Sequence, residues 1–595
     1  MYCRFLWYLA AARWAFELQA AAESIKTPDC KAFPGKSTWP AQEQWDRLNA
    51  TLSGRLIKPL APAGVCHAEQ PNFSKDACEA LGKEWTGYDF HLDDPVSMMF
   101  ANWANTTCTP DPSKPCTTAG YPAYVVNAGS AEDVKAGVDF AREMNVRLVV
   151  KSTGHDFLGR SIAPGSLSIW TRHLRSINFH QGEYKLSGNE TVIKGDAVTA
   201  GAGVGMYELY QAMDKYGKVV VGGGAQTVSL GGYLTGGGHS PLGLHYGLGA
   251  DNVLEMVVVT PAGEILTVNE EQSPDLFWAL RGGGGSTFGV VISYTIRAYP
   301  TPQVQHTLVF TIIPSNSSRR NEFMGFMMGK VPELMDSGLS GLCIVDPDGK
   351  TSDVYNLPAN MSMFAGSLTL LDRGPDDYIT LLDQLNSTLQ ERFGGEASLV
   401  AEKPKSYGTF LEWFSLQTNL QPGRTFLIES WLLDRDALTN NPDALVKAVT
   451  SAAKPARTIY FYNFAGKGVQ EAKPRGGSTA IHPGWRKAYT LAISDVEFDP
   501  YSQTSEMETA RSMIEAYKPL RELALGMGSY HNEVDLTMQQ GMIYDKTPHE
   551  TFWGDNYERL LKIKRSIDPD DVFWCTPCVG NDRWEQKENG MLCKL

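Results

Sequence analysis

The spacing of apolar residues changes along the chain, and each change marks an element. In "YPAYVVNAGSAEDVKAGVDFAREMNVRLVVKSTGHD", Ala123 to Val126 is a short apolar run that reads as a strand. Ser130 follows, with Asp133 three residues on, the pattern that caps a helix start. Val134, Val138 and Ala141 then share one helical face, and "VRLVV" closes the segment as a second strand. Strand, helix and strand in about 30 residues predict a βαβ unit. The runs "SLSIWT", "VVVGGG", "MVVVT" and "GVVISYTIRA" predict further strands. In "SPDLFWALRGGGGSTFGVV", Ser273 can cap a helix, Pro274 suits its first turn, and the helix stops at Gly282. From about 301 to 525, strand-like runs ("HTLVFTII", "RTFLIESWLL", "RTIYFYNFAG") alternate with helical ones, as in a second domain of α+β type. Finally, "FWGDNYERLLKIKRSIDPDDVF" reads as a helix that stops before Pro569.

Glycine interrupts this pattern in three places. Val221 to Asn252, "VGGGAQTVSLGGYLTGGGHSPLGLHYGLGADN", has more glycine than a packed helix or strand tolerates. Yet Val228, Leu230, Leu234, Leu242 and Leu244 are spaced among the glycines, so it reads as a close-fitting loop against a ligand. The four glycines Gly282 to Gly285 exceed what a local turn requires. The turn Ser152-Thr153-Gly154-His155-Asp156 ends a buried strand. Backbone N–H groups in such turns hold phosphate oxygens. Three separate glycine sites point to a ligand with a phosphate portion and an extended body. No Gly-x-x-x-x-Gly-Lys-Ser/Thr loop occurs, and "GAGVGM" lacks the third glycine of a dinucleotide fingerprint.

Charge and composition narrow the class. The chain has 595 residues and a net charge of −14, which argues against a general nucleic-acid surface. Residues 1–22 resemble a secretory signal peptide, although Arg13 and Glu17 interrupt its apolar run, and no later segment is long and apolar enough to span a bilayer. Seven Asn-x-Ser/Thr sequons, at Asn49, Asn72, Asn105, Asn189, Asn316, Asn360 and Asn386, support a secreted glycoprotein. Removal of Cys3 with the signal leaves nine cysteines. Cys66–Cys78 and Cys108–Cys116 enclose short loops suited to disulfides. One pair is expected among Cys575, Cys578 and Cys593, with the third reaching Cys30 and Cys343 unpaired. No second Cys/His pair stands at metal spacing beside Cys575 and Cys578, so no metal site is expected.

The motifs "KSTGHDFLGRS", "TVSLGGYLTGGGHSPLG", "YGLGADNVLEMVVVTPAGE", "FWALRGGGGSTFGVV" and "NYERLLKIKRSIDPDDVF", in this order, resemble the FAD-linked oxidases of the vanillyl-alcohol oxidase/p-cresol methylhydroxylase superfamily. The berberine-bridge-enzyme-like branch, with its secreted fungal members, is the most similar. The resemblance implies an α+β fold: an FAD-binding domain discontinuous in sequence, plus an α+β substrate domain with an antiparallel sheet. On this reading a Cys-rich extension (23–116) packs on the FAD domain (117–301). The substrate domain (302–525) follows, and 526–595 returns to the FAD domain. The resemblance also implies that His155 bonds covalently to the flavin 8α-methyl, with Ser152, Thr153, Gly154 and Ser161 lining the cofactor. Gly231, Gly232, Gly236, Gly237, Gly238, Asn532 and Asn556 are expected at the cofactor too. Relatives that carry a second link use a cysteine where this chain has Ala225, so FAD is expected to be held through His155 alone. Val228 matches a position associated with oxygen access.

The family's tail motif, Tyr-x-Asn-Tyr, reads here Tyr530-His531-Asn532-Glu533-Val534-Asp535. Tyr530 and Glu533 are the catalytic candidates, Glu533 standing where relatives have tyrosine. A proton acceptor near the flavin is required for alcohol oxidation. Glu429, Glu471 and His482 lie on or beside strands that could face the flavin. The expected function is oxidation of an alcohol or sugar hydroxyl by a monomer, with molecular oxygen reduced to hydrogen peroxide. The alternatives are a natural-product dehydrogenase or oxidative cyclase, or a flavin-retaining binding protein.

Overall fold

In a computed structural model, the structure describes residues 30–100, 107–417, 421–533 and 548–595. The signal segment, the Asn105 sequon, Val534 and Asp535 lie outside the described residues.

The predicted βαβ unit forms, but with a strand between its two ends. Strands β1 (Leu56–Ile57), β2 (Tyr124–Asn127), β3 (Leu148–Lys151) and β4 (Leu167–Trp170) make a sheet ordered β1-β2-β4-β3. Both β2 and β3 pair with β4 in parallel. The helix Ala131–Glu143 connects β2 to β3, and Ser130 Oγ accepts from the Asp133 N–H at 3.2 Å. The N-terminal extension is more helical than its composition suggests, with helices Gln42–Thr51, Lys75–Glu84 and Tyr88–Asp93. The first of these buries Trp45 and Leu48 against Val126, Val134 and Ile169. Trp45 stacks on Tyr124 at 4.1 Å. Disulfide Cys30–Cys593 joins the extension to the C-terminal end.

A second sheet holds β5 (Ile177–His180), β8 (Ala197–Gly201), β9 (Lys218–Val220), β10 (Val253–Val259), β11 (Ile265–Asn269) and β12 (Val290–Pro300). Between β5 and β8, β6 (Glu183–Lys185) and β7 (Val192–Lys194) form a hairpin. The glycine-rich segment before β10 is not all loop: Leu230–Gly236 and Gly243–Tyr246 are helical. Leu230, Tyr233 and Leu234 are buried, and the Gly231 N–H donates to the Ala202 carbonyl at 3.0 Å. Glycine lets this helix lie backbone to backbone against the sheet. Ser273 precedes helix Pro274–Ala279 but does not cap it. Its φ of 51° removes it from the extended conformation that a capping hydroxyl needs.

The third sheet is antiparallel throughout: β13 (Val304–Pro314), β14 (Ser340–Asp346), β15 (Met361–Leu371), β16 (Ser398–Ala401), β17 (Lys405–Tyr407), β18 (Phe426–Asp434), β19 (Ile459–Asn463) and β20 (Ala488–Glu497). Their order is β16-β13-β15-β14-β19-β20-β18, with β17 beside β13. The period of two along a strand gives the sheet two faces. Leu368, Phe461, Trp431 and Ala492 pack on one side against Leu385, Val449 and Tyr517 of helices Pro375–Phe393, Pro442–Ala456 and Gln503–Leu523. The alternate residues Ser367, Thr369, Phe426, Ile428, Tyr460 and Tyr462 face a cavity. Cys575–Cys578, Cys66–Cys78 and Cys108–Cys116 are bonded, and Cys343 is free and buried.

Candidate active site

The cavity has a volume of about 720 Å³. One wall is the polar turn after β3. There the expected residues Ser152, Thr153, Gly154, His155 and Ser161 all line it. Gly154 has φ +82°, a left-handed conformation that suits glycine, and its carbonyl accepts from the Met99 N–H at 3.0 Å. His155 is held by Thr227 Oγ1, 2.7 Å from Nε2, and lies beside Tyr88 with ring centroids 6.0 Å apart. Burial, with His91 and Lys151 nearby, pushes the His155 imidazole down to about 3, so the ring is neutral at ordinary pH.

The glycine-rich segment makes the second wall, through Ala225, Val228, Gly231 and Gly232. A Cβ added at Gly232 would meet nothing within 4 Å. Gly236, Gly237 and Gly238 do not line the cavity. A Cβ there would strike Asn532, Ile481 and Tyr233 respectively, so they let wall residues pack from behind. Asn556 is also off the wall, because its amide donates to the Ile481 carbonyl at 2.7 Å. The four-glycine turn reaches the cavity through Gly285. Its bend is demanded by Gly282, with φ +117° and no room for a Cβ beside the Ile481 backbone.

The tail closes the site. Tyr530, Asn532 and Glu533 line the cavity. The Asn532 amide donates to the Gly232 carbonyl and to the Tyr530 hydroxyl, each at 3.1 Å. Burial, followed by the Glu533 charge, raises the Tyr530 phenol and keeps it protonated. Both Glu533 carboxylate oxygens are 3.0 Å from His239 Nε2. Tyr88, Phe100, Arg160 and His239 are among the lining residues that sequence reasoning missed. Arg160 and His239 sat inside quoted motifs, but nothing in the glycine pattern separated them from their neighbours. Tyr88 and Phe100 come from the extension, which carried no ligand signal.

Three other candidates are not at the cavity. Glu429 follows Ile428 on β18 and so takes the opposite face, where it pairs with Arg521. His482 is turned to the Glu550 carbonyl at 3.0 Å and accepts from the Gly484 N–H at 2.9 Å. Glu471 borders a separate surface depression with Tyr246 and Lys467.

A family model described as "FAD binding domain" matches residues 122–269, and one described as "Berberine and berberine like" matches 529–579. The FAD-linked oxidoreductase ZEB1 of Gibberella zeae is 32% identical over 584 residues, 95% of each chain. The VAO-type flavoprotein oxidase VAO615 of Thermothelomyces thermophilus is 33% identical over 579 residues, 96% of each chain. Among solved structures, the VAO-type flavoprotein MtVAO615 from Myceliophthora thermophila C1 superposes with a TM-score of 0.81 at 31% identity, covering 95% of this chain and 100% of that one. The chain belongs to the VAO-type, berberine-like FAD-linked oxidoreductases. It is an FAD-dependent oxidoreductase with the α+β fold the motifs implied. The cavity residues fit the cofactor: glycines open one wall where a side chain would protrude, and a buried neutral histidine stands on another.

Proposed function

We propose that the protein is a secreted flavoprotein oxidase that converts an alcohol or carbohydrate hydroxyl to a carbonyl, with oxygen as acceptor and hydrogen peroxide as product. One observation carries the reading. His155 and the Glu533–His239 pair line the same cavity, so a cofactor fixed at the histidine shares its chamber with a proton acceptor. Bound FAD supplies a hydride acceptor. Ser152, Thr153, Gly154, Ser161, Val228, Gly231 and Gly232 would hold it, and Asn532 fixes the Gly232 backbone. His155 is the attachment point, and Ala225 offers no second one. The proton acceptor lies in the cluster Tyr530, Glu533 and His239. The substrate meets the third sheet, where Arg424 and Asp495 pair at 3.1 Å beside Tyr460 and Tyr462.

Secretion is supported by four disulfides and by exposed sequon residues Asn316 and Asn360, while Asn49, Asn72, Asn189 and Asn386 are half-buried. Among the described residues no helix is long and apolar enough to cross a membrane. We read the protein as a monomer whose 526–595 segment rejoins the FAD domain. The test is a panel of alcohols and carbohydrates, following peroxide. Peroxide formed in step with substrate supports the oxidase. Flavin that is reduced by substrate but reoxidised only by an artificial acceptor points to a dehydrogenase. Flavin that no substrate reduces points to a binding protein.

A further inference from the structure

Tyr462 brings to the cavity a hydroxyl that the fold itself does not use. We propose that this hydroxyl donates a hydrogen bond to the substrate oxygen beside Glu533, holding the alcohol and stabilising the negative charge that builds as its proton leaves. The inference rests on the reading of the protein as an alcohol-oxidising flavoprotein.

Tyr462 belongs to β19, where the period of two puts it on the same face as Tyr460, while Phe461 enters the core on the other side. Both tyrosines are half-buried and line the cavity. The Tyr462 hydroxyl has no hydrogen-bond partner among the described residues, and its oxygen is not sealed within the protein. Other tyrosines of the cavity are committed. Tyr294 donates to the Gly231 carbonyl at 3.1 Å, Tyr233 donates to the His239 carbonyl at 2.9 Å, and Tyr530 accepts from Asn532 at 3.1 Å. A phenol inside a protein normally finds a partner, so a free one that opens on a cavity is a place for a ligand acceptor.

The surroundings put that acceptor at the reacting end. The Tyr462 ring stands edge-on to His239 at 5.6 Å, and His239 Nε2 is 3.0 Å from both Glu533 oxygens. Glu533 follows Asn532, whose amide donates to the Gly232 carbonyl of the cofactor wall. One chain of contacts therefore joins the free hydroxyl, the carboxylate and that wall. A carboxylate has about four lone-pair sites, so Glu533 can still accept a proton while His239 holds it. Its side chain keeps 19% of its surface exposed. Burial, followed by the Glu533 charge, raises the Tyr462 phenol. It stays protonated and serves as a donor rather than a second base.

The step balances. The alcohol O–H proton passes to the Glu533 carboxylate, the carbinol hydrogen leaves with its electron pair as hydride to bound FAD, and a C=O bond forms. Tyr462 keeps its own proton throughout.

The experiment has two arms. The first follows anaerobic flavin reduction in FAD-loaded wild type and Tyr462→Phe, with an alcohol that the peroxide panel shows to be oxidised. Tyr462→Phe keeps the ring and should load flavin as the wild type does. It should reduce about 10²–10³-fold more slowly, the usual worth of one donor at a developing oxyanion. The pH at which the rate inflects should not change. A near-normal rate, or a loss of flavin, overturns the inference. Loss of the inflection makes Tyr462 the proton acceptor and overturns the donor role. The second arm needs no substrate: the ultraviolet tyrosinate absorbance of wild type minus that of Tyr462→Phe, from pH 6 to pH 10. No difference should appear, because Tyr462 stays protonated. Tyrosinate present in the wild type and absent from the variant overturns this inference alone. Failure of every alcohol to reduce the wild type overturns the functional reading, and the Tyr462 role with it.

Discussion

Arg160 donates to the Asn532 side-chain oxygen at 3.0 Å across 372 residues of sequence. The same guanidinium grips Asp156 at 2.6 Å and lies 2.9 Å from the His531 ring. One largely buried cation therefore ties the His155 turn to the C-terminal return. Arg160→Met takes the guanidinium from Asp156, which keeps only the backbone N–H of residue 160. Breaking a buried pair this way costs about 3–5 kcal/mol. The variant should unfold at lower denaturant and, combined with His155→Ala, should retain less FAD. An unchanged midpoint would show that the two segments are held together elsewhere.

Gly232 offers a test of the cofactor wall. A side chain there would enter open space, since an added Cβ meets no atom within 4 Å. Gly232→Val should fold with a melting temperature near that of the wild-type apoprotein and take up little FAD. Normal flavin content would move the cofactor away from this wall.

His91 makes the stability pH-dependent. It is buried, with Nδ1 2.7 Å from Ser97 Oγ and Nε2 2.8 Å from the Trp85 carbonyl. Desolvation, the largest cause, pushes its imidazole down to about 4. The unfolded chain binds this proton at about pH 6.5 and the folded one does not until about 4. The stabilisation is present above 6.5 and is lost as pH falls toward 4. The gap in melting temperature between wild type and His91→Gln should therefore narrow from pH 7 to pH 4.5. A constant gap would mean that His91 takes up its proton at the same pH in the folded and the unfolded chain.

Cys343 is the single free cysteine among the described residues, and burial pushes its thiol up to about 12. The thiolate is the reactive form. Alkylation should fail in the native protein and succeed after denaturation, with the label on Cys343 and on none of the other cysteines from Cys30 to Cys593. Label on Cys575 or Cys578 would contradict the short disulfide.

What could be read in the sequence followed from local rules. The Ser130 cap, the Val134–Val138–Ala141 face and the short cysteine loops each depend on neighbours within one or two turns of chain. The order of strands did not, because nothing between Asn127 and Leu148 says that β4 will lie between them. Glu429 shows the same limit. Its place on a strand was visible, but which face it takes depends on the helices that cover the sheet. Tyr88 and Phe100 reach the cavity only because the extension folds over the His155 turn. His239 gains its meaning from Glu533, 294 residues away.

The account turns on His155 as the anchor of FAD. The direct measurement is acid precipitation followed by mass spectrometry of flavin-bearing proteolytic peptides, in wild type and His155→Ala. The prediction is a yellow wild-type pellet with all flavin on the peptide containing His155, and a colourless variant pellet with its FAD in the supernatant. Flavin on any other peptide, or a yellow pellet from His155→Ala, would contradict it.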